Sequence, residues 1–199
     1  MTSKEYFNGD ELAASVWEGK YAVEGEDNPD NMHKRMAKEF ARVDENYQRS
    51  ESITASGVSK YGNNRNSLKE TSIYNLFKDF KYIVPQGSIM SMLGSNKIGS
   101  LSNCFVIGQP EDSYGGIIQK DQQLVQLMKR RGGVGLDIST LRPTGTTVTN
   151  AANTSTGAAS FMERFSNSTR EVAQGGRRGA LMLTIDIRHP DVFDFVNIK

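Results

Sequence analysis

Two kinds of side chain in this sequence could do chemistry: one thiol, and arginines placed in long turns. Cys104 is the single cysteine of the 199 residues. It is therefore a buried small hydrophobe, a reactive thiol, or half of a pair completed elsewhere. It lies in a short apolar run that predicts a strand, with Cys104 and Ser102 on one face and Asn103 and Phe105 on the other. A lone cysteine on a strand is most often a core residue. The pattern by itself does not exclude a reactive thiol or half of a pair, so these alternatives stay open.

The arginines lie in segments rich in glycine or next to proline. The sequence Gly175-Gly-Arg-Arg-Gly179 combines backbone freedom with two guanidinium groups that can bind phosphate oxygens or stack on a base. Arg142, before Pro143 in another long turn, could add charge to the same ligand. The pattern fits a mobile anion-binding loop and a solvated turn equally well.

Other combinations of residues give weaker signals. The sequence Gly132-Gly-Val-Gly135 precedes a predicted strand instead of opening a helix, so it is not a dinucleotide fingerprint, and tight packing is the simpler interpretation. His33 is expected on the polar face of a helix and His189 at a helix start. Their spacing predicts no Cys-His pair, catalytic triad or metal site.

The first half of the chain is predicted to be helical. One helix is expected to start near Asn28 and Pro29. After that start, apolar residues recur with the period of one helix face at Met32, Met36, Phe40, Val43 and Tyr47. Asp10 is expected to cap a shorter helix that contains Leu12, Val16 and Trp17. A third helix, with Ile73, Leu76, Phe77 and Phe80, is predicted to begin near Ser72. Residues 48–69 are expected to form a surface loop.

The second half alternates between strand and helix patterns. Strands are predicted at residues 82–85, 101–107, 134–138 and 180–187. Asp112 or Ser113 is expected to cap a helix that ends near Gly132, a long turn covers residues 140–156, and a helix containing Phe161 and Phe165 follows. His189-Pro-Asp191 is expected to start another helix. This alternation predicts a parallel sheet with crossover helices.

Composition excludes some classes of partner. The formal charge is +1, from 24 basic and 23 acidic residues, so no broad field favours a nucleic acid. No apolar run approaches the roughly 18 residues that span a bilayer. The segment that begins Met1-Thr-Ser-Lys lacks a signal-peptide pattern, so no membrane partner and a cytoplasmic location are expected.

Six segments in order and at similar spacing resemble the large, catalytic subunit of ribonucleotide reductase. They are Ser100-Leu-Ser-Asn-Cys-Phe-Val-Ile-Gly108, Asp112-Ser113, Lys129-Arg-Arg-Gly-Gly-Val-Gly-Leu-Asp137, Leu141-Arg-Pro-Thr-Gly145, Gln174-Gly-Gly-Arg-Arg-Gly179 and His189-Pro-Asp191. The resemblance implies an α/β fold in which a helical region, residues 1–84, has no evident ATP-cone. Residues 85–199 would then form the first strands and helices of a ten-stranded α/β barrel, incomplete in this chain, with effector-specificity loops at residues 142–150 and 174–179.

The resemblance also implies roles for particular residues. Cys104 would be a redox thiol that supplies reducing equivalents as the ribose 2'-hydroxyl leaves, and would then form a disulfide with a cysteine from the second half of the barrel. The implied substrate-binding residues are Ser88, Ser102, Asn103, Gly133, Gln174 and Arg178. Many relatives carry serine where this chain has Asn103. The implied residues for a deoxynucleotide effector are Asp112, Ser113, Tyr114 and Arg142.

The implied partners are a ribonucleoside di- or triphosphate, a dNTP or ATP effector, and a second polypeptide carrying the other cysteines. The isolated chain is therefore predicted to be inactive. Helices 113–131 and 157–174 resemble those that pair across the family's dimer, although their apolar stripes fit ordinary core equally well. We expect no cofactor on this chain. The holoenzyme would use a metal-containing radical subunit or adenosylcobalamin, with a thioredoxin or glutaredoxin type reductant.

Two alternatives remain from the residues themselves. The chain could be a non-catalytic nucleotide-binding or regulatory module that uses the turns near Arg142 and Arg178. It could also be an unrelated α/β enzyme in which Cys104 is a buried structural residue.

Overall fold

The structure is a computed structural model that describes residues 1–51, 68–172 and 179–198, with the backbone alone for 47–51. The chain divides into two compact units, Met1–Leu101 and Ser102–Lys199. The boundary predicted between residues 84 and 85 falls inside the first unit, and that division stays a prediction.

The first unit is built from helices. They are α1 (Ser3–Tyr6), α2 (Glu11–Lys20), α3 (Pro29–Glu51), α4 (Glu70–Phe77) and α5 (Gly87–Met92), with a 3-10 turn at Lys78–Phe80. Met32 and Met36 of α3 are fully buried against Trp17, Ile73 and Phe77. The three predicted helices are thus confirmed. The side chain of Asp10 caps α2 by accepting a hydrogen bond from the Ala13 N–H at 2.9 Å.

Some predictions for this half were wrong. Residues 48–51, which were expected to lie in a loop, belong to α3, which continues to Glu51; the rest of that expected loop, residues 52–67, lies outside the described part. The strand expected at residues 82–85 is absent there: this segment pairs with no strand, and Tyr82 and Val84 are exposed. The helices α1 and α5 were not predicted, because they are short and lack a clear apolar period.

His33 lies in the core and not on the polar face of α3 as predicted. Its side chain is fully buried, with the Phe80 ring edge-on at 4.6 Å and the Phe77 ring stacked at 6.5 Å between centroids. Apolar periodicity predicts that one face of a helix is buried. Here Phe80 of the 3-10 turn also covers the face of α3 that carries His33. Burial lowers the pKa of His33, and the nearby Asp30, Asp79 and Glu26 oppose that shift.

A buried arginine connects α3 to the end of α5. Arg35 is paired with Glu26, Nε to Oε1 at 2.7 Å. Its Nη2 donates to the Met90 carbonyl at 2.7 Å, and its Nη1 donates to the Leu93 carbonyl. A guanidinium group has enough donors to satisfy all of these acceptors, which makes the burial of its charge tolerable.

The second unit is a three-stranded parallel sheet with crossover helices. Strands β1 (Cys104–Ile107), β2 (Gly133–Asp137) and β3 (Leu181–Thr184) pair in that order. Between and after them come α6 (Tyr114–Met128), α7 (Gly157–Glu171) and α8 (Val192–Asn197). This confirms the alternation read from the sequence, although β1 and β3 are shorter than predicted and β2 begins and ends one residue earlier. Within the described residues, no helix has the length and apolar character needed to cross a membrane.

The two faces of the sheet differ. Helices α6 and α7 cover one face, where Leu124, Met128 and Phe165 are fully buried against Leu136 and Ile138. On the other face lie Cys104, Val106 and Met182, and the last two are 92% and 68% exposed. A parallel strand order normally has both faces covered, so this face is the one left available for a ligand or for further polypeptide.

Local sequence sets the ends of α6. Ser113 caps the helix by accepting a hydrogen bond from the Gly116 N–H at 3.0 Å, as predicted. After the helix, Arg131 has a left-handed backbone (φ 73°), and the Gly132 N–H donates to the Leu127 carbonyl at 3.1 Å. A Cβ on Gly132 would lie 2.7 Å from the Phe105 ring. This supports tight packing as the reason for glycine at the first position of Gly132-Gly-Val-Gly135.

Candidate functional site

Cys104 begins β1 on the uncovered face of the sheet, and its thiol is exposed. The interpretation of Cys104 as a buried core residue is therefore wrong for this chain. Its Cα partner on β2 is Gly133, whose N–H donates to the Asn103 carbonyl at 2.6 Å. Since residues paired across parallel strands point to the same face, glycine at 133 leaves no side chain beside the thiol.

The other predicted substrate residues are placed in different parts of the chain. Ser102 is exposed and Asn103 half-buried, directly before Cys104. Ser88 is buried on α5 of the first unit. Gln174 and Arg178 lie outside the described residues. The structure thus brings together Ser102, Asn103, Gly133 and Cys104, and the substrate-binding role of all six residues stays a prediction.

A pocket of about 240 Å³ lies where the turn after β1 meets the turn after β2. All four predicted effector residues line it: Asp112, Ser113, Tyr114 and Arg142. They come from two segments 30 residues apart in sequence. Their convergence follows from the parallel sheet, because the carboxyl ends of neighbouring strands lie at the same edge.

Asp112 and Arg142 are joined by an ion pair. The Nε of Arg142 lies 2.7 Å from Oδ2 of Asp112, and the Arg142 N–H donates to Oδ1 at 3.1 Å. The Nη2 donates to the Asp112 carbonyl at 3.2 Å. Both side chains are more than a third exposed, so the guanidinium group can also reach an anion in the pocket.

Two aromatic rings form an apolar part of the same pocket. Tyr114 of α6 and Phe161 of α7 pack edge to face, with centroids 6.0 Å apart and an interplanar angle of 76°. Tyr114 is 59% exposed. A planar group such as a nucleobase can pack against such a surface.

The remaining wall lies mostly in the long turn predicted at residues 140–156, although its further lining residues were not named from the sequence. The segment 145–155 folds back on itself through a bridge between Thr147 and Thr154, and the Gly145 N–H donates to the Ser155 carbonyl at 2.9 Å. The additional lining residues are Ile117, Leu141, Val148, Thr149, Asn150, Ala152, Thr154, Ser155, Thr156 and Phe161. Runs of Thr, Asn and Ala carry little chemical signal, so only the fold assigns them to the pocket.

His189-Pro-Asp191 precedes α8 as predicted, but the side chain of Asp191 does not cap that helix. Its carboxylate accepts backbone hydrogen bonds from Thr144 and Ala158, which flank the turn that lines the pocket. The Asp191 carboxylate thus binds backbone N–H groups that are distant in sequence, and it does not cap its own helix.

Two carboxylates lie at the same edge of the sheet: Asp137 is the last residue of β2, and Asp186 follows β3. Asp137 accepts hydrogen bonds from the Ser139 hydroxyl at 2.5 Å and from Gln109 at 2.6 Å. The Ser139 side chain is the main cause that lowers the pKa of Asp137. Hydrogen bonds from the Arg188 side chain lower the pKa of Asp186. Both are therefore ionised at neutral pH.

Metal ligands were not predicted. In the described ranges, no group of three or more His, Cys, Asp or Glu side chains is arranged to hold a metal ion.

Comparison with known proteins then decides the family. Residues 102–199 match the family described as "Ribonucleotide reductase, barrel domain". These residues belong to the ribonucleotide reductase barrel family. The recognition of a ribonucleotide reductase large subunit from its sequence segments is thereby confirmed.

Proteins similar in sequence come from distant organisms. The chain is 39% identical over 101 residues to ribonucleoside-diphosphate reductase large chain 2 of Saccharomyces cerevisiae, covering 50% of this chain and 12% of that protein. It is 34% identical over 125 residues to a vitamin B12-dependent ribonucleoside-diphosphate reductase of Mycobacterium tuberculosis, covering 62% of this chain and 18% of that protein. The chain thus spans less than a fifth of the length of these relatives.

A solved ribonucleotide reductase has the same fold over almost the whole chain. The class Id ribonucleotide reductase alpha subunit of Actinobacillus ureae superposes with a TM-score of 0.65 over 99% of this chain and 31% of that one, at 19% identity. With three parallel strands in the described part, the fold is an incomplete α/β barrel preceded by helices, as predicted.

Proposed function

We propose that this chain is part of the catalytic subunit of a ribonucleotide reductase and that Cys104 is one of its redox thiols. The observation that carries the proposal is the position of Cys104, exposed on the first strand of a sheet whose sequence matches the reductase barrel. The substrate would be a ribonucleoside di- or triphosphate, held near Ser102, Asn103 and Gly133.

The chemistry requires a second thiol. Two thiols lose two electrons and two protons as they form a disulfide, and the ribose loses its 2'-hydroxyl as water and gains hydrogen at that carbon. Cys104 is the single cysteine of this sequence, so the other thiol must come from additional polypeptide. A radical from a metal-containing subunit or adenosylcobalamin would start the reaction, and a thioredoxin or glutaredoxin type reductant would restore the thiols.

We propose that the pocket around Arg142 binds a deoxynucleotide or ATP effector. Arg142 supplies positive charge for phosphate oxygens. Asp112 and Ser113 offer acceptors and a hydroxyl for the sugar, while the rings of Tyr114 and Phe161 offer an apolar surface for the base. One pocket thus presents suitable groups to each part of a nucleotide, which supports allosteric control.

A dimer through α6 and α7 is part of the proposal. The two helices contact each other through the pair of Arg164 with Asp121, 3.1 Å apart, and they pack on the sheet. Tyr114 and Ile118 of α6 remain 59% and 50% exposed. This outer apolar surface supports pairing with a second copy. We also propose a cytoplasmic location, where cellular reductants keep thiols reduced.

The experiment is complementation with the missing part of a related large subunit. The chain, the complementing polypeptide, a radical source and dithiothreitol are mixed with CDP, and dCDP is measured. We expect dCDP only when all components are present, and none with Cys104→Ser. Reduction that survives Cys104→Ser, or turnover by the isolated chain, would contradict the proposal.

The second candidate is a nucleotide-binding regulatory module without catalysis. It is favoured by one observation: all four predicted effector residues converge on one pocket, whereas the thiol chemistry needs a second cysteine that this sequence does not contain. Binding of a deoxynucleotide without any reduction in the complementation assay would select this function.

A further inference from the structure

Two buried side chains that follow β3 bind to the ends of the segment that lines the pocket. His189 and Asp191 are 8% and 5% exposed. Nε2 of His189 lies 2.7 Å from the Leu141 carbonyl oxygen, which can only accept, so Nε2 carries the hydrogen. The Asp191 N–H donates to Nδ1 at 3.1 Å. The ring of His189 therefore donates through Nε2 and accepts at Nδ1.

The carboxylate of Asp191 closes the same segment from both ends. Its Oδ1 accepts the Thr144 N–H at 3.0 Å, and its Oδ2 accepts the Ala158 N–H at 2.9 Å. Thr144 lies near the start of the segment 141–156, and Ala158 lies just after its end. One side chain, 33 residues beyond Ala158 in sequence, thus fixes the distance between the two ends.

Asp191 also completes the amino end of α7. Thr156, at the capping position of α7, makes no side-chain hydrogen bond to the helix. The Ala158 N–H is one of the first-turn donors that a helix leaves unpaired, and a carboxylate there also interacts favourably with the positive end of the helix. Asp191 therefore acts as a cap supplied from another part of the chain.

Gly157 permits this close approach. Its backbone is left-handed (φ 85°), and a Cβ at this position would lie 2.0 Å from Thr144 Oγ1 and 2.6 Å from Asp191 Oδ2. The three segments therefore meet at a point where only glycine fits.

The pocket groups lie beside these anchors. Arg142 is between Leu141 and Thr144, both of which are held, so its backbone position follows from theirs. Phe161 is three residues after Ala158 on α7, on the same side of the helix. We infer that His189 and Asp191 are positioning residues for the pocket: they fix the guanidinium group and the ring that contact the ligand. This inference rests on the proposed function, which gives a deoxynucleotide as the ligand of the pocket.

The test measures binding of dTTP, dATP, dGTP and dCTP to the 199-residue chain by calorimetry. Asp191→Asn keeps the size but turns an NH₂ donor toward backbone N–H groups. Because a charge-assisted hydrogen bond is at stake, we expect affinity to fall about ten-fold. His189→Leu should weaken binding likewise, whereas His189→Gln keeps a donor for Leu141 and should stay within about two-fold of wild type. The control is Asp194→Asn on the exposed side of α8, which should bind normally.

Thermal unfolding separates positioning from general stability. A purely structural role lowers Tm but leaves the affinity of the folded chain unchanged, and that result would overturn the inference. Amide exchange of Thr144 and Ala158 without nucleotide should be faster in Asp191→Asn than in Asp194→Asn. If Asp191→Asn does not fold, Thr144→Ala replaces it, since it removes only hydroxyl contacts at 3.2 and 3.4 Å, and a two- to three-fold loss is expected.

Failure of the proposed function gives a different result. If the wild-type chain binds none of the four dNTPs, the proposed effector site is wrong and the inference falls with it. If the wild type binds and Asp191→Asn binds equally well, only the inference is wrong.

Discussion

Arg142 and Asp112 form an ion pair, with Nε and Oδ2 2.7 Å apart, although 30 residues separate them in sequence. Both line the same pocket. Asp112 holds the guanidinium group of Arg142 at the side of the pocket. An anionic ligand would bind the same guanidinium group beside the Asp112 carboxylate or in its place. The pair therefore connects the turn after β1 to the turn after β2 through a group suited to phosphate.

Arg142→Gln should weaken deoxynucleoside triphosphate binding by about ten-fold or more, because it removes a charged donor for phosphate oxygens. The loss should be smaller for the deoxynucleoside without phosphates. Calorimetry with dTTP and thymidine measures both. Arg170→Gln, on α7 outside the pocket lining, is the matched control. Equal losses for dTTP and thymidine would show that Arg142 does not bind phosphate.

Cys104 should react with an aromatic disulfide reagent in the folded chain. Its thiol is exposed and has Gly133 beside it, so access is open. We expect one thiol released per chain without denaturant, at a rate within about ten-fold of that of the unfolded chain. Absorbance of the released thiolate measures it, and Cys104→Ser is the blank. A thiol that reacts only after unfolding would contradict the exposed position.

Acid should destabilise the helical unit through His33. Burial lowers the pKa of His33 below its ordinary value of 6.5. The unfolded chain therefore binds a proton at a pH where the folded chain does not, and stability falls as the pH falls below about 6.5. The loss is at most about 1.4 kcal/mol per pH unit until the folded-state pKa is reached.

The measurement is urea unfolding between about pH 7.5 and pH 5. His33→Met, which is apolar and flexible, should flatten the pH dependence in this range. Burial raises the pKa of Asp30, but hydrogen bonds from Lys34 and Tyr74 to its charged form lower it by more, so the net shift is downward. Asp30 therefore affects stability at a more acidic pH than His33 does. An unchanged pH dependence in His33→Met would reject this assignment.

Arg35→Met should lower the free energy of unfolding by about 3–5 kcal/mol, because the buried Glu26 then loses its counter-charge and keeps the hydrogen bond from the Val23 N–H. Two backbone carbonyls at the end of α5 also lose their donor. Urea unfolding at neutral pH measures the change. The matched control is Arg42→Met on the same helix, whose pair with Glu39 is exposed and should contribute nothing measurable. Similar effects of the two substitutions would contradict a special role for Arg35.

Several features were predictable because they depend on neighbours in sequence. The amphipathic period gave α3, the Asp10 and Ser113 caps gave the starts of α2 and α6, and alternation of elements gave the parallel sheet. That Cys104 and Ser102 share a face stays a prediction, because Ser102 lies before β1. The segment order from Ser100 to Asp191 indicated the reductase family, because motif spacing is a property of the chain itself.

Tertiary structure decided which interpretation of each residue holds. The pattern at Cys104 fits core and surface alike; the thiol is exposed, and α6 and α7 pack on the opposite face of the sheet. His33 is buried because a 3-10 turn distant in sequence packs on it. Asp191 binds Thr144 and Ala158 instead of its own helix because folding brings their N–H groups within 3.0 Å. Burial and long-range hydrogen bonds depend on what folds against a residue, and local sequence does not encode that.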